Sequence, residues 1–367
     1  MNTHGFVRDL ELLVNIDSGS YNAAGVNKVA DFCQGRLVQL GCSVERITTG
    51  LGDVVIGRRK GNGGPKILLI GHMDTVFDDG TAAARPFRIE GTTAYGPGVC
   101  DDKGGLLAGL YALESLIEQG REPYDELVFC CSPDEEIGAP GSRPIIEALA
   151  REAAYVLCLE GARENGDLVK ARKGAADLTV EIEGKAAHAG IEPERGANAA
   201  LAAAHLTVAL QGLNGLAPGV TVNVGVIRAG SRPNIVCPTA SIELEVRATD
   251  MRDFDAVLQA VELLAADPGV PGTRATVRRG LVCSPMEADE RLVATAQAAA
   301  RSVGLEVGAA VTGGVGDANL CAPTPTLDGL GPVGGGDHSD AEWLDLTSVG
   351  PRISLLVTLI NSLQETP

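Results

Sequence analysis

Two of the five histidines and several carboxylates stand in short polar motifs that follow apolar runs of the chain. His72 ends the run KILLIGH, and Asp74 comes two residues later, so both side chains point to the same side of an extended backbone. Glu135 and Glu136 follow the run ELVFCC, and Glu160 follows AYVLCL. Mixed imidazole and carboxylate groups are ligands for zinc and similar first-row metals. These motifs therefore favour a metal site.

Two glycine-rich loops add to this set. YGPGVCDDKGG carries Asp101 and Asp102 just before a helical pattern, and GGGDHSD carries His338. One aspartate could cap the helix, but the second would be a costly buried charge unless it meets a cation. Each motif alone has an ordinary structural alternative as a strand cap, a helix cap or an exposed loop. Their joint occurrence favours metal chemistry.

The apolar runs predict the elements that position these motifs. Continuous apolar stretches at 66–71, 126–131 and 154–159 are typical of strands buried on both faces. A helical pattern at 104–119 lies between two of them. Alternating strands and helices predict an α/β domain with a mixed, largely parallel sheet sandwiched by helices. Ligands usually bind at the carboxyl ends of such strands, where the motifs stand.

After residue 174 the pattern changes to strands that alternate polar and apolar residues. These strands are predicted at 177–183, 220–228 and 241–247, with helices at 196–212 and 253–266. After residue 280 the α/β pattern returns, with helices at 289–303 and from 349. We therefore predict a catalytic domain formed by 1–174 and 280–367, interrupted by an inserted α+β domain at 175–279, a typical domain size.

Composition excludes several classes of partner and compartment. The 367 residues carry 48 acidic and 30 basic side chains, a net charge of −18, which argues against binding to nucleic acid or to an anionic membrane. The N-terminal residues do not resemble a signal peptide, and no apolar run is long enough to span a membrane. The nine cysteines are odd in number, and none forms a C-x-x-C pair, so we expect reduced thiols in a cytoplasmic protein.

The motifs GHMDTV, YGPGVCDDKGG, PDEEIG, LE and GGGDHSD, in this order, resemble those of the co-catalytic zinc exopeptidase family. That family includes glutamate carboxypeptidase, acetylornithine deacetylase and succinyl-diaminopimelate desuccinylase. The likeness covers essentially the whole chain. The segments LVNIDSGSYN, ARPFRIEGTTAYGPGVCDDKGG and TGGVGDA are most similar to glutamate carboxypeptidase. The resemblance implies two Zn²⁺ ions per subunit, with Co²⁺ or Mn²⁺ as alternatives.

The resemblance also implies a role for each ligand. His72 and Glu160 would hold one zinc, Glu136 and His338 would hold the other, and Asp101 would bridge both.

Further roles in the reaction follow from the same likeness. Glu135 would be the general acid and base, and Asp74 would orient His72. The peptide bond between Asp101 and Asp102 is expected to be cis.

The inserted domain carries the remaining candidates. His188, in GKAAHAG, would help to bind the oxyanion, reaching across the interface of a homodimer formed through this domain. Asn234, in RPNIVCP, and Arg247, in LEVRATD, would hold the carboxylate of the substrate, a task that suits an arginine fork. The structural alternatives are an ordinary loop histidine and an arginine on a solvated strand face.

The leading functional hypothesis is a hydrolase that cuts an amide bond next to a free carboxylate. It would release a C-terminal amino acid, possibly glutamate, from a small N-acyl amino acid or short peptide. The alternative is an N-acyl amino acid deacylase with the same site, and a wide acyl pocket would favour the carboxypeptidase. A catalytically silent relative ranks lower because every ligand is present. The stretch from Glu160 to Gly174 does not align cleanly with glutamate carboxypeptidase, so Arg172 and Lys173 are candidate specificity contacts.

Overall fold

The computed structural model of the chain describes residues 3–363. They form two compact units. Unit 1 takes the chain up to Arg172 and again from Met286 onward, and unit 2 is Lys173–Pro285. The predicted inserted domain, 175–279, lies inside unit 2.

The secondary structure follows the predicted order. The α-helices are α1 (Thr3–Val14), α2 (Ala23–Gln39), α3 (Thr81–Ala84), α4 (Lys103–Glu118), α5 (Arg143–Glu152), α6 (Ala199–Gln211), α7 (Met251–Ala266), α8 (Glu290–Ser302) and α9 (Leu346–Ser362). The strands are β1 (Ser43–Thr48), β2 (Asp53–Lys60), β3 (Lys66–His72), β4 (Arg88–Glu90), β5 (Thr93–Tyr95), β6 (Glu126–Ser132), β7 (Tyr155–Cys158), β8 (Leu168–Arg172), β9 (Gly174–Glu183), β10 (Thr221–Ala229), β11 (Thr239–Ala248), β12 (Arg274–Cys283), β13 (Met286–Glu287), β14 (Ala309–Thr312), β15 (Thr326–Leu327), β16 (Gly334–Gly335) and β17 (Trp343–Asp345). Several of the shorter strands carry too few residues to show the periodic pattern that would predict them.

The main sheet of unit 1 has the strand order β1-β2-β6-β3-β7-β15. The four strands from β6 to β15 are parallel, and β1 and β2 are antiparallel additions. All seven residues of β6 and six of the seven in β3 are buried, so both faces of the sheet are covered. The predicted fold class, a mixed and largely parallel sheet between helices, is confirmed.

Two smaller sheets extend unit 1. One has the order β16-β17-β5-β4, and the other has the order β13-β8-β14. In the second sheet Arg172 of β8 pairs with Met286 of β13 in an antiparallel register. The chain therefore leaves unit 1 and returns to it on neighbouring strands.

Unit 2 has its own sheet and its own apolar core. The sheet is antiparallel, with the order β10-β11-β9-β12. Residues of α6 and α7 share the core with these strands. Buried and partly exposed residues alternate along most of β11, as the sequence pattern predicts for a half-exposed strand.

The nine cysteines all fall within the described residues, where they are free and buried. Within residues 3–363, no helix is both long and apolar enough to cross a membrane.

A buried arginine on α9 connects two loops of unit 1 through three backbone carbonyls. The guanidinium of Arg352 donates hydrogen bonds to the backbone carbonyls of Gly331 at 2.8 Å and Gly166 at 3.0 Å, and to that of Gly329. The residue is 2% exposed, and burial lowers its pKa to about 10. These loops follow β7 and β15. Arg352 therefore holds in place two loop segments that are close to polar motifs in the sequence.

Replacing Arg352 with methionine leaves these buried carbonyls without their donor. We expect Arg352→Met to lower the free energy of unfolding by about 3 kcal/mol or more, measured by urea denaturation. The control is Arg252→Met, because the Arg252 side chain is 88% exposed, and it should change stability by less than about 0.5 kcal/mol. Equal stability of the two variants would contradict the structural role of Arg352.

Candidate active site

The polar motifs meet in one cleft of unit 1, beside the carboxyl ends of β3, β6 and β7. The cleft has a volume of about 400 Å³. Its lining includes Asp101, Glu135, Glu136, Glu160 and His338. Because β3, β6 and β7 are parallel, their carboxyl ends lie at the same edge of the sheet and bring together motifs that are far apart in the sequence.

The carboxylate of Asp101 lies between the two histidines. Its Oδ1 is 2.9 Å from Nε2 of His72, which also lies 3.5 Å from Oε1 of Glu160. Its Oδ2 is 3.2 Å from Nε2 of His338, which also lies 3.0 Å from Oε2 of Glu136. Each oxygen of this one carboxylate therefore faces a separate histidine–glutamate pair.

These donor atoms are close enough together to hold metal ions. Among the described residues, two overlapping sets of three donor atoms lie within 4.8 Å of one another. The sets are His72, Asp101 and Glu136, and His72, Glu135 and Glu160. His338 joins the first set through its contacts with Asp101 and Glu136. Imidazole nitrogens combined with carboxylate oxygens suit zinc and similar divalent metals, so the residues fit the metals that the resemblance implies.

The electrostatics of the cleft favour added positive charge. Burial, with Asp101 nearby, raises the pKa of Glu160 to about 8, and burial raises the pKa of Glu136. Hydrogen bonds to Asp101 and Glu136 raise the pKa of His338 to about 10. Burial opposes the charged form of Asp101, but the hydrogen bonds from both histidines outweigh it and lower the pKa of Asp101. A cation in the cleft would supply the same compensation as these protons.

Asp74 is fully buried and holds two parts of the cleft. Its Oδ1 accepts a hydrogen bond from the backbone N–H of Glu135 at 3.1 Å, and its Oδ2 accepts one from that of Glu136 at 3.2 Å. Nδ1 of His72 lies 3.0 Å from the carbonyl oxygen of Asp74 and 3.4 Å from Oδ1. The position fits the predicted orienting role and also shows that Asp74 supports the turn that carries the glutamates.

Glu135 lies in the cleft on a short 3-10 turn, Glu135–Ile137. Burial raises its pKa well above the usual range for a glutamate, with His72 opposing the shift and Glu160 adding to it. Such a carboxyl group keeps its proton at a higher pH than an ordinary glutamate does, which suits it to general acid–base chemistry.

A buried glutamate that sequence reasoning missed supports Asp101 from behind. Glu342 is 1% exposed, and its Oε2 accepts a hydrogen bond from the N–H of Gly98 at 2.8 Å. Its Oε1 accepts from the N–H groups of Cys100 at 2.8 Å and Asp101 at 3.0 Å. The bond between Asp101 and Asp102 is cis, as expected. In the sequence, Glu342 lies between His338 and β17. It therefore connects the loop that carries His338 to the loop that carries Asp101.

Arg172, a candidate specificity contact, lines the cleft together with Arg163. Its Nε lies 2.5 Å from Oδ2 of the buried Asp328, and its Nη2 lies 3.9 Å from Oε2 of Glu160. The ion pair with Asp328 fixes the guanidinium beside a candidate metal ligand.

The predicted residues of the inserted domain do not all come together within unit 2. His188 and Asn234 are both exposed. Their backbones are neighbours, since the N–H of Ala189 donates a hydrogen bond to the carbonyl of Asn234 at 3.1 Å. Arg247 lies near the far end of β11, roughly 25 Å from the start of that strand at about 3.3 Å per residue. Its guanidinium forms a two-pronged ion pair with Glu245, at 2.6 and 2.9 Å.

Comparisons with known proteins decide the family. The model of peptidase family M20/M25/M40 matches residues 68–362. The chain belongs to this family. The resemblance drawn from the motifs is therefore confirmed, and this M20 peptidase is a metal-dependent hydrolase that acts on amide bonds.

Individual relatives agree with this assignment. The M20 peptidase is 36% identical to Carboxypeptidase G2 of Pseudomonas sp. (strain RS-16), over 97% of this chain and 89% of that protein. It is 31% identical to acetylornithine deacetylase of Myxococcus xanthus, over 64% of this chain and 65% of the relative. An aminopeptidase from Bacillus cereus has a similar structure, with a TM-score of 0.80 and 24% identity over 99% of both chains. At that identity the structural likeness shows the fold alone.

The position of Glu342 predicts an effect on metal binding. We expect Glu342→Gln to weaken zinc affinity by about 10–100-fold. The neutral amide is a poorer acceptor for the three N–H groups of the Asp101 loop, so it would hold that loop less firmly. Competition with a chromophoric chelator would measure the affinity directly. The matched control is Glu306→Gln at an exposed position, which should bind zinc like the unaltered protein. Unchanged affinity in Glu342→Gln would contradict this role.

Proposed function

We propose that this M20 peptidase is a two-zinc hydrolase that releases a C-terminal amino acid from a small N-acyl amino acid or short peptide. The observation that carries the proposal is that each oxygen of the Asp101 carboxylate faces a different histidine–glutamate pair. A carboxylate in such a position suits two cations held side by side. The 36% identity with Carboxypeptidase G2 over nearly the whole chain supports carboxypeptidase activity, with glutamate as the first candidate for the released residue.

The proposed reaction uses residues at defined places in the cleft. Divalent cations, when bound, polarise the scissile carbonyl and lower the pKa of a water molecule. Glu135 accepts the proton of the attacking water and returns it to the leaving amine. Asp74 holds the backbone of Glu135 in place and orients His72.

The remaining proposed roles belong to residues of the inserted domain, with His188 reaching the site of the second copy in the proposed homodimer. His188 would donate to the oxyanion, and Asn234 would bind the carboxylate of the substrate. Arg247 would have to exchange Glu245 for that carboxylate, because the structure pairs these two side chains.

A second candidate is an N-acyl amino acid deacylase. The 31% identity with acetylornithine deacetylase of Myxococcus xanthus supports it. Both reactions break an amide bond with the same metal ligands, so they differ in the groups bound on either side of that bond. A catalytically silent relative is disfavoured because Glu135 and every proposed ligand are present in the cleft.

The homodimer and the cytoplasmic location stay predictions. Exposed apolar side chains in unit 2 support association through that unit. Leu201 and Val208 on α6 are 46% and 76% exposed, and Ile227 on β10 is 50% exposed. Because β10 lies at an edge of its sheet, it could also pair with a second copy of itself.

The first test of the proposed function combines metal content with hydrolysis. Elemental analysis after zinc reconstitution should find two metals per chain. Glu135→Gln should keep both metals but lower kcat for the best N-acyl amino acid by about 10²–10⁴-fold, because the amide cannot accept the proton of water. Glu164→Gln, in the same cleft but outside the proposed ligand set, should retain most activity. Turnover that is indifferent to Glu135, or one metal or fewer per chain, would overturn the proposal.

The predicted dimer has a separate test. Light scattering after size-exclusion chromatography should give twice the mass of the chain. Val208→Asp should shift the population toward monomer, because a charge on the proposed apolar contact must be desolvated on association. Val38→Asp, on an exposed position of α2, should leave the mass unchanged. A monomeric unaltered protein would refute the prediction.

A further inference from the structure

The two histidines of the proposed metal site are held in different ways. The side chain of His72 is 1% exposed and ends a strand of the main sheet, whereas that of His338 is 56% exposed and lies in a turn. Packing against neighbouring side chains therefore fixes His72, but it covers less than half of the side chain of His338. The position of the second imidazole depends mainly on the backbone that carries it.

The backbone at His338 has an uncommon conformation. Its φ angle is 61°, in the left-handed region that residues other than glycine rarely adopt. Gly336, two positions earlier, is also left-handed, with a φ angle of 70°. A residue with a side chain keeps such a conformation only where the surrounding structure holds it. The contacts that hold this turn therefore determine where the imidazole of His338 points.

Residues 336–342, which we name the His338 turn, are held partly from within. The hydroxyl and the N–H of Ser339 both donate to the carbonyl of Gly336, at 2.6 and 3.1 Å. The N–H of Glu342 donates to the carbonyl of Ser339 at 3.4 Å. Glu342 is also the acid that accepts hydrogen bonds from the loop of the bridging aspartate, so this end of the turn is fixed to the metal site.

The outer side of the His338 turn is held by an arginine from another loop of unit 1. Nη1 of Arg85 donates to the carbonyl oxygen of Ser339 at 3.3 Å, and its Nη2 lies 3.4 Å from Oδ1 of Asp340. These acceptors belong to the two residues that directly follow His338. A planar guanidinium, whose donors form a fixed fork, is suited to holding two adjacent acceptors at once.

Arg85 has its own anchors away from the turn. Its guanidinium lies over the ring of Phe77, 4.7 Å from the ring centre, and its side chain is 25% exposed. Its backbone N–H donates to the carbonyl of Thr81 at 2.8 Å. The same segment is bound to Asp17, whose Oδ1 accepts from the N–H of Ala82 at 2.8 Å. The arginine therefore reaches the turn from a position that is already fixed.

We propose that Arg85 is a positioning residue for the metal site, because it holds the His338 turn and so keeps the imidazole of His338 directed at the metal shared with Glu136. The inference rests on the proposed function, in which these two ligands hold one of two zinc ions. Arg85 lies outside the lining of the cleft, so its effect should appear in metal affinity rather than in substrate binding.

The direction of the effect distinguishes this role from simple electrostatics. A cation near the cleft repels a bound metal ion, so loss of the charge of Arg85 would strengthen zinc binding if charge alone mattered. Loss of the hydrogen bond and the ion pair instead loosens the turn and weakens zinc binding. Arg85→Lys keeps the charge but not the fork, so its affinity should lie between those of the unaltered protein and Arg85→Met.

The first experiment measures zinc affinity by competition with a chromophoric chelator. Arg85→Met should bind one of the two metals about tenfold more weakly, near the lower limit for residues that orient ligands, because its contacts are partly exposed. The matched control is Arg88→Met, since Arg88 lies over the ring of Tyr95 at 4.1 Å and pairs with Glu90, partners on β4 and β5. Equal affinities in the two methionine variants, or tighter binding by Arg85→Met, would show that the inference is wrong.

A double variant tests whether Arg85 acts through His338. His338→Gly removes the imidazole and leaves a residue that adopts the left-handed conformation freely. In that background Arg85→Met should change the affinity for the remaining metal by less than about twofold, because the group that it positions is absent. A similar loss of affinity with and without His338 would indicate a general effect on the fold and would contradict the positioning role.

These results separate the inference from the proposed function. Zinc binding that depends on both His338 and Arg85 supports the inference even if no N-acyl amino acid is hydrolysed, a result that overturns only the proposed hydrolysis. Zinc binding that depends on His338 but not on Arg85 overturns only the inference. Zinc binding that is indifferent to His338 overturns both.

Discussion

Carboxylates gathered in a buried cleft repel one another, and much of unit 1 is arranged around that repulsion. Asp101, Glu135, Glu136 and Glu160 share a space of about 400 Å³. Hydrogen bonds from histidine hold Asp101 in its charged form, whereas burial and the neighbouring acids raise the pKa values of the glutamates. An uncompensated cluster of this kind would destabilise the fold. A bound cation relieves the repulsion, so metal affinity and the stability of the cleft have the same physical origin.

Two further buried acids position the cleft through backbone groups. Asp74 accepts hydrogen bonds from the N–H groups of Glu135 and Glu136, and Glu342 accepts them from the loop that contains Asp101. Negatively charged acceptors make stronger hydrogen bonds than neutral ones, so each acid holds its loop most firmly when it is ionised. Burial raises the pKa of Glu342 to about 7. The ligand geometry therefore depends on backbone hydrogen bonds as well as on side-chain packing, an arrangement that keeps the donor atoms in place before a metal arrives.

The parts of this site that sequence reasoning could predict are those marked by local pattern. His72 stands out because it ends an apolar strand, with Asp74 two residues later, at the place in an α/β sheet where ligands usually bind. Glu342 and Arg352 carry no such signal, because their partners are backbone groups of remote segments. Glu342 is 242 residues from Cys100 along the chain. The partner of Arg247 was within reach of the sequence, since Glu245 lies two positions earlier on the same face of β11. The unpredicted strands β16 and β17 are stabilised by pairing rather than by a pattern of their own.

The antiparallel pairing of β8 with β13 has a consequence for how such a protein can change. Arg172 and Met286 are opposite each other in that pair, so the exit from unit 1 and the return to it are adjacent, with Cα atoms about 5 Å apart. A segment inserted at such a point can be lengthened, exchanged for another domain or reduced to a tight turn without altering the order of the strands in unit 1. Different inserted domains for substrate selection can thus be joined to unit 1 at this point without a change in its metal-binding residues.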